Sequence, residues 1–168
     1  MESSSQLNFI RQQGFKNAAP SACQLQYPAL MFQPRLIGVI VVVGVIFQAP
    51  ALFLILSAVL WWNAFLPSRN LFDALYNVLV ADPKGIPRLI SAPGPRRFAQ
   101  GMAATFTLGI GLSLIFGWKA AAWILEGVLV AALAALIFGK FCLGSYVFHL
   151  FRGESAFANR TLPWARKD

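Results

Sequence analysis

Charge is the scarcest property of this chain. Only 12% of its 168 residues are Asp, Glu, Lys or Arg, and just six of them are acidic, against about 25% charged in an ordinary soluble domain. Hydrophobic residues make up 58%, and a water-soluble protein this small has too much surface for its volume to hide them. Lipid must cover the rest, and the length allows one membrane domain and no second folded domain. Histidine occurs once and cysteine twice, as Cys23 and Cys142. Those numbers exclude a disulfide framework and cannot fill a tetrahedral metal site. No phosphate-binding glycine loop, paired carboxylates within a span or nucleophile elbow is present. The residues identify no reaction, and no enzyme activity, metal or cofactor is expected. Met1–Gln26 lacks an apolar core, so no cleavable signal peptide is read and the first apolar run serves as an uncleaved anchor.

What charge there is lies unevenly. The net charge of +8 forms no compact basic patch with interleaved aromatics, so nucleic acid is not an expected partner. Basic residues instead flank apolar runs. Apolar character is continuous from Leu36 to Leu66, roughly 46 Å as helix where a span needs about 30 Å. Gln48-Ala49-Pro50 interrupts it, and proline favours the first position of a helix. Read as a hairpin with two later spans, the sequence puts Arg11, Lys16, Arg35, Arg69, Lys84, Arg88, Arg96, Arg97, Arg152, Arg160, Arg166 and Lys167 on one side. Lys119 falls on the other. The positive-inside bias makes the first side cytoplasmic, with both chain ends there.

The expected fold is therefore all-α: four transmembrane helices as two hairpins, with an interfacial amphipathic helix between them. Residues 1–28 read as a polar, mobile arm and 29–152 as the membrane domain, with spans over about 31–47, 50–66, 98–116 and 120–148. Leu71, Phe72, Leu75, Tyr76, Val78 and Leu79 predict an interfacial helix over about 69–81. Gly117-Trp118-Lys119 is a short external turn, the fourth span either continues past the membrane into the cytoplasm or bends near Gly139 or Gly144, and 153–168 is a polar tail. Gly101, Thr105, Gly109 and Ser113 on the third span, and Gly127, Ala131, Ala135 and Gly139 on the fourth, recur every four residues. Small residues let helix backbones approach, so the two stripes are expected to face each other.

Chemistry has few candidates. Glu126 lies inside the fourth span, where an ionisable residue points to proton or ion traffic. It sits about 21 Å along the axis from Lys140, too far to pair; Lys140 is expected to snorkel to the boundary. Cys142, Ser145 and His149 share one helix side. A thiol near an imidazole can be activated, but about 10 Å of helix separates the two, beyond direct proton transfer. The competing reading is a buried cysteine, a serine bonded to its own helix and an interfacial histidine.

Several of these elements together resemble a known family. Pro34-Arg35 before a short apolar hairpin, the proline-rich interfacial segment, Arg96-Arg97-Phe98-Ala99 opening the third span and Phe141-Cys142-Leu143-Gly144 late in the fourth are similar to a bacterial membrane family known as domain of unknown function 4395. The resemblance covers roughly residues 28–152 and implies four membrane helices. It also implies a Cys-x-x-Cys element in many members, whose second position here is Ser145, so a dithiol cycle would lack its resolving partner. The leading functional expectation is a non-catalytic accessory or scaffold subunit of a larger bacterial inner-membrane complex, in contact with lipid and other membrane subunits. The alternatives are a thiol-linked redox or sulfur-handling protein using Cys142, and a small transporter using Glu126.

Overall fold

The computed structural model describes residues 2–18 and 23–165. Helix α1 (Glu2–Gln12) precedes α2 (Cys23–Phe47) and α3 (Pro50–Phe65). A single 3-10 turn at Pro67–Arg69 leads into α4 (Leu71–Tyr76), a wider π turn at Asn77–Ala81 and α5 (Asp82–Lys84). Helices α6 (Gly94–Ile115), α7 (Lys119–Ile137), α8 (Leu143–Phe151) and α9 (Ser155–Arg160) complete the chain. Three helices, α2, α6 and α7, are long and apolar enough to cross a membrane, and α3 is apolar over a shorter 16 residues.

The long apolar run divides at the expected place. Helix α2 ends in a Schellman turn, with the Ala49 amide donating to Gly44 O at 3.1 Å and the Gln48 amide to Val45 O at 3.3 Å. The turn needs a left-handed residue, and here it is Gln48 at φ 45°. The same motif ends α6 with the usual glycine, Gly117 at φ 72°, and Trp118 N–H bonded to Ser113 O at 2.8 Å. Placing a side-chain residue there costs about 1 kcal/mol, which indicates that the Gln48 side chain has a job. Pro50 and Pro95 both stand in a first helical turn, where no amide partner is lost.

Packing follows α2–α3–α6–α7 and closes from α7 back to α2. Residues of all four helices meet in one core: Val41, Phe53, Leu60, Ala104, Leu129 and Leu133 are buried together. The longest seam joins α3 and α6 antiparallel. Arg97 Nε donates to Ala64 O at 2.9 Å, Gly101 faces Trp61, Ser57 Oγ donates to Ala104 O at 2.8 Å, and Gly111 faces Leu54.

This seam corrects the expected pairing of small stripes. A four-residue step turns a helix by about 40° more than a full circle, so four such steps sweep across different neighbours. Gly101 meets α3, Gly109 meets Leu125 of α7, and Thr105 is exposed. On α7 the buried face is Ala122, Glu126, Leu129 and Leu133. Ala131 and Gly127 point outward, with nothing within 4 Å of a Cβ placed on Gly127. Gly139 lies past the end of α7 and Ala135 is half-buried.

The two ends of the chain also differ from expectation. Leu7, Phe9 and Ile10 of α1 are buried, with Tyr27, Leu30, Met31 and Cys142, so the polar arm folds as a helix that hides its few apolar residues. α2 begins correspondingly early, at Cys23, whose own side chain lies outside the described residues, as do Arg166 and Lys167. At the other terminus Ala158 and Thr161 are buried, and Asn8 Nδ2 of α1 donates to Leu162 O at 3.1 Å. Helix α7, expected to run on to 148 as the fourth span, stops at Ile137. Lys140 takes φ 55° and the Phe141 amide reaches back to Ala135 O at 3.1 Å, re-aiming the chain into α8.

α8 lies against α6 so closely that a Cβ on Gly144 would stand 2.7 Å from the Ala99 Cα. Backbone cannot yield there as a side chain would. Gly144→Ala is expected to destabilise the protein by about 1–3 kcal/mol through overpacking, while Gly127→Ala is expected to be neutral. Thermal unfolding of both variants in one detergent checks the contrast.

Candidate functional site

Chemistry-bearing side chains gather at two levels of the bundle, one near each end. At the α2–α3 turn, Gln48 Nε2 donates to Val45 O at 2.9 Å and to Glu126 Oε1 and Oε2 at 3.1 and 3.2 Å. Glu126 is buried. Its partner is thus an amide on the connecting turn, which explains why a glutamine occupies the left-handed position.

The opposite level holds a group that sequence reading passed over. Arg96, 5% exposed, makes a two-point ion pair with Asp73, 6% exposed. Its Nη1 donates to Oδ2 at 2.9 Å and its Nη2 to Oδ1 at 2.5 Å. Gln33 Oε1 of α2 accepts from Arg96 Nη2 at 2.8 Å and from Gln100 Nε2 at 3.0 Å. Asp73 is aimed by its own helix end: Asn70 Oδ1 caps α4 by accepting from the Phe72 and Asp73 amides, and Asn63 Oδ1 accepts from the Leu71 amide at 2.8 Å. The one sequence signal was the rarity of acidic residues, which makes Asp73 in an otherwise apolar helix conspicuous.

Ser145 and His149 are buried on α8, while Cys142, which the spacing put on the same helix side, is buried just before the helix in an extended conformation. They are not joined to one another. Ser145 Oγ lies 3.4 Å from Pro95 O. His149 Nδ1 is 2.7 Å from Glu154 Oε2 and its Nε2 is 3.2 Å from Gln12 O. Cys142 occupies the N-cap of α8, and its amide donates to Gln12 Oε1 at 2.9 Å. Gln12 therefore bridges cysteine and histidine from α1. Lys140 donates to Ser5 Oγ at 3.3 Å and lies over the Tyr27 ring, holding α1 as well.

Glu154 ties the arm to the tail. Its Oε1 accepts from Lys16 Nζ at 2.9 Å. The Lys16 ammonium and then the His149 ring hold its carboxyl below the ordinary carboxylate range. Two cavities adjoin Cys142. One, of about 140 Å³, is apolar and lies among α6, α7 and α8; the other, of about 80 Å³, is lined in part by Gln33, Arg96 and Gln100. Among the described residues no group of three His, Cys, Asp or Glu converges on a metal position.

A family model described as Domain of unknown function (DUF4395) matches residues 27–152. The chain belongs to this family. No curated protein and no solved structure matches it. Helices α2 to α8 lie within the matched region apart from the first residues of α2, whereas α1 and α9 lie outside it and cover it.

Two predictions follow from the charged groups. Asp73→Ala leaves a buried guanidinium unpaired and is expected to destabilise the fold by about 3–5 kcal/mol, measured by denaturant titration in detergent. Glu154→Gln is expected to lower Tm at neutral pH. The folded carboxyl has a depressed pKa, so its contribution is complete above the unfolded value and disappears as pH falls through the folded one. The Tm gap between wild type and Glu154→Gln should therefore close on acidification.

Proposed function

We propose that this member of the family is a four-span bacterial inner-membrane protein acting as a non-catalytic accessory or scaffold subunit of a larger membrane complex. The observation that carries the reading is the outward turn of the α7 small-residue stripe. Gly127 and Ala131 face away from the bundle with open space above Gly127, and exposed Trp123, Ile124, Val128 and Val130 flank them. Such a face lets the backbone of a neighbouring membrane helix approach closely, where packing rather than hydrophobicity drives association.

The internal groups support the same reading. Glu126 is bonded by Gln48, Arg96 is matched by Asp73, and both ring nitrogens of His149 meet oxygen atoms. Each of these groups serves to hold helices together. The shortest of the four spans is α3, at 16 residues, and a short span is accommodated by local bilayer thinning or by tilt of its neighbours. Both termini belong on the cytoplasmic side, because α1, α9 and the 66–93 connection gather at the bundle end carrying most basic residues, with Lys119 at the other.

Native mass spectrometry after mild extraction from the source membrane tests the proposal. The expected result is a heavy particle with reproducible membrane partners, lost in Gly127→Leu while the variant keeps the wild-type Tm. A bare monomer or homo-oligomer from wild type would sink the subunit reading.

A further inference from the structure

Arg97 is the unmatched neighbour of Arg96. Its Nε donates to Ala64 O at 2.9 Å, which fixes the guanidinium plane, and among the described residues neither Nη atom has a partner. The residue is half-buried, so it has lost hydration that a counter-charge normally replaces. The chain's own carboxylates do not replace it. Of the six acidic residues, Asp73, Asp82, Glu126 and Glu154 are bonded elsewhere. The side chain of Glu2 and all of Asp168 lie outside the described residues.

Arg97 lines a groove of about 470 Å³ formed by α3, α6 and α8. Trp61 and Phe65 of α3, stacked with ring centroids 5.2 Å apart, contribute to it, as do Phe98 of α6 and Phe148 of α8, 5.7 Å apart. Gly101 leaves room between them, since even a Cβ placed there would come no closer than 3.6 Å to Trp61. Thr105 is the other polar side chain in the lining, and its hydroxyl is committed to Gly101 O at 3.0 Å. From Arg97 to Thr105 the groove follows α6 for about 12 Å, and exposed Phe65 and Thr105 open it outward. A second cation stands beside it, with Arg152 over the Phe148 ring at 5.7 Å. The groove therefore offers a cationic fork at one end and apolar surface beyond.

We propose that this groove binds one anionic phospholipid, its phosphate accepting from the two Nη atoms of Arg97 and an acyl chain lying over Gly101. A free phosphate would use the fork and leave the apolar length uncovered. A neutral lipid or a partner helix would cover that length and leave the charge unmatched. An anionic phospholipid meets both demands. The level agrees, because tryptophan and arginine mark the membrane interface, and basic pockets between membrane helices hold anionic headgroups there. The site rests on the membrane-spanning part of the proposed function and is independent of whether the protein joins a larger assembly.

The test uses the full purified chain, without partners, in a mild detergent. It is titrated with phosphatidylglycerol or with phosphatidylcholine of the same acyl chains, and native mass spectrometry counts the lipids bound. A cation merely near a headgroup favours anionic lipid about fivefold; the fixed fork is expected to favour the first phosphatidylglycerol by more than about tenfold. Arg97→Lys keeps the charge and loses the fork, so its preference should fall to about the fivefold of a simple surface cation. Arg97→Gln should bring the two lipids together, and Gly101→Leu should weaken phosphatidylglycerol with the arginine untouched. Arg69→Gln, at an exposed residue that does not line the groove, should change nothing. A phosphatidylglycerol with a diazirine on its acyl chain locates the site in wild type without any variant, and labelling is expected within residues 61–65 and 98–105. Equal affinity for the two lipids in wild type, labelling centred on α2 or α7, or a preference that survives Arg97→Gln would overturn the proposal. So would displacement of the bound lipid by an equal concentration of glycerol 3-phosphate, since the headgroup alone would then suffice.

Discussion

The structure hangs on a buried charge pair at one end of the bundle. Arg96 begins α6, Asp73 sits on α4, and Gln33 belongs to α2. Their meeting fixes three elements at once. Removing two charges from water costs several kcal/mol per ion, and the attraction repays it only with good geometry and further hydrogen bonds. Both conditions hold, since the pair is two-pointed and Gln33 Oε1 accepts a further hydrogen bond from the guanidinium. The cost also explains the precision of α4, whose six residues are held by the Asn70 cap and by Asn63 on α3. A short helix of that length has no stability of its own. It exists where it does because Asp73 must reach Arg96.

The same end of the bundle is closed by the two terminal segments. Gln12, Lys16 and Ser5 come from the arm and Glu154 from the tail, and they converge on His149, Cys142 and Lys140 at the α7–α8 break. A break in a membrane helix exposes backbone groups that lipid cannot satisfy. Gln12 answers this directly: its side-chain oxygen accepts the amide of Cys142, the first amide freed as α8 begins. Residues outside the family domain thus complete hydrogen bonding inside it.

Much of the fold was legible because punctuation residues act locally. Pro50 and Gly117 mark both interhelical turns, and the 36–66 run was too long for one span. The glycines at 139 and 144 marked where a bend could fall, but an unbroken helix running past the membrane read equally well. What escaped depends on distant partners. Arg96 reads as another basic residue flanking an apolar run, and nothing local tells it from Arg97, which instead bonds the Ala64 carbonyl. Leu7, Phe9 and Ile10 are too few to announce a helix face in a polar arm, and their order comes from the cleft they fill. The stripes misled for a geometric reason, since an i+4 repeat drifts around the helix. Of the candidate site, the burial of Ser145 and His149 on one helix was legible, while the extended place of Cys142 ahead of that helix and the residues that bond all three were not.

The distribution of polar groups along the bundle axis bears on mechanism. Gln48 and Glu126 lie at one level, and Arg96, Asp73, Gln33 and Gln100 at the other. Between them Ser57 and Thr107 are buried, and their hydroxyls donate to carbonyls of Ala103 and Ala104 on α6. A proton or ion route needs groups that can exchange partners along a path. Hydroxyls already committed to helix carbonyls in a packed apolar core do the opposite: Ser57 reinforces the α3–α6 seam, and Thr107 is bonded within its own helix. The two polar levels therefore work as clamps at either end of a tightly packed middle, one closing a turn and the other locking the connection beneath the bundle.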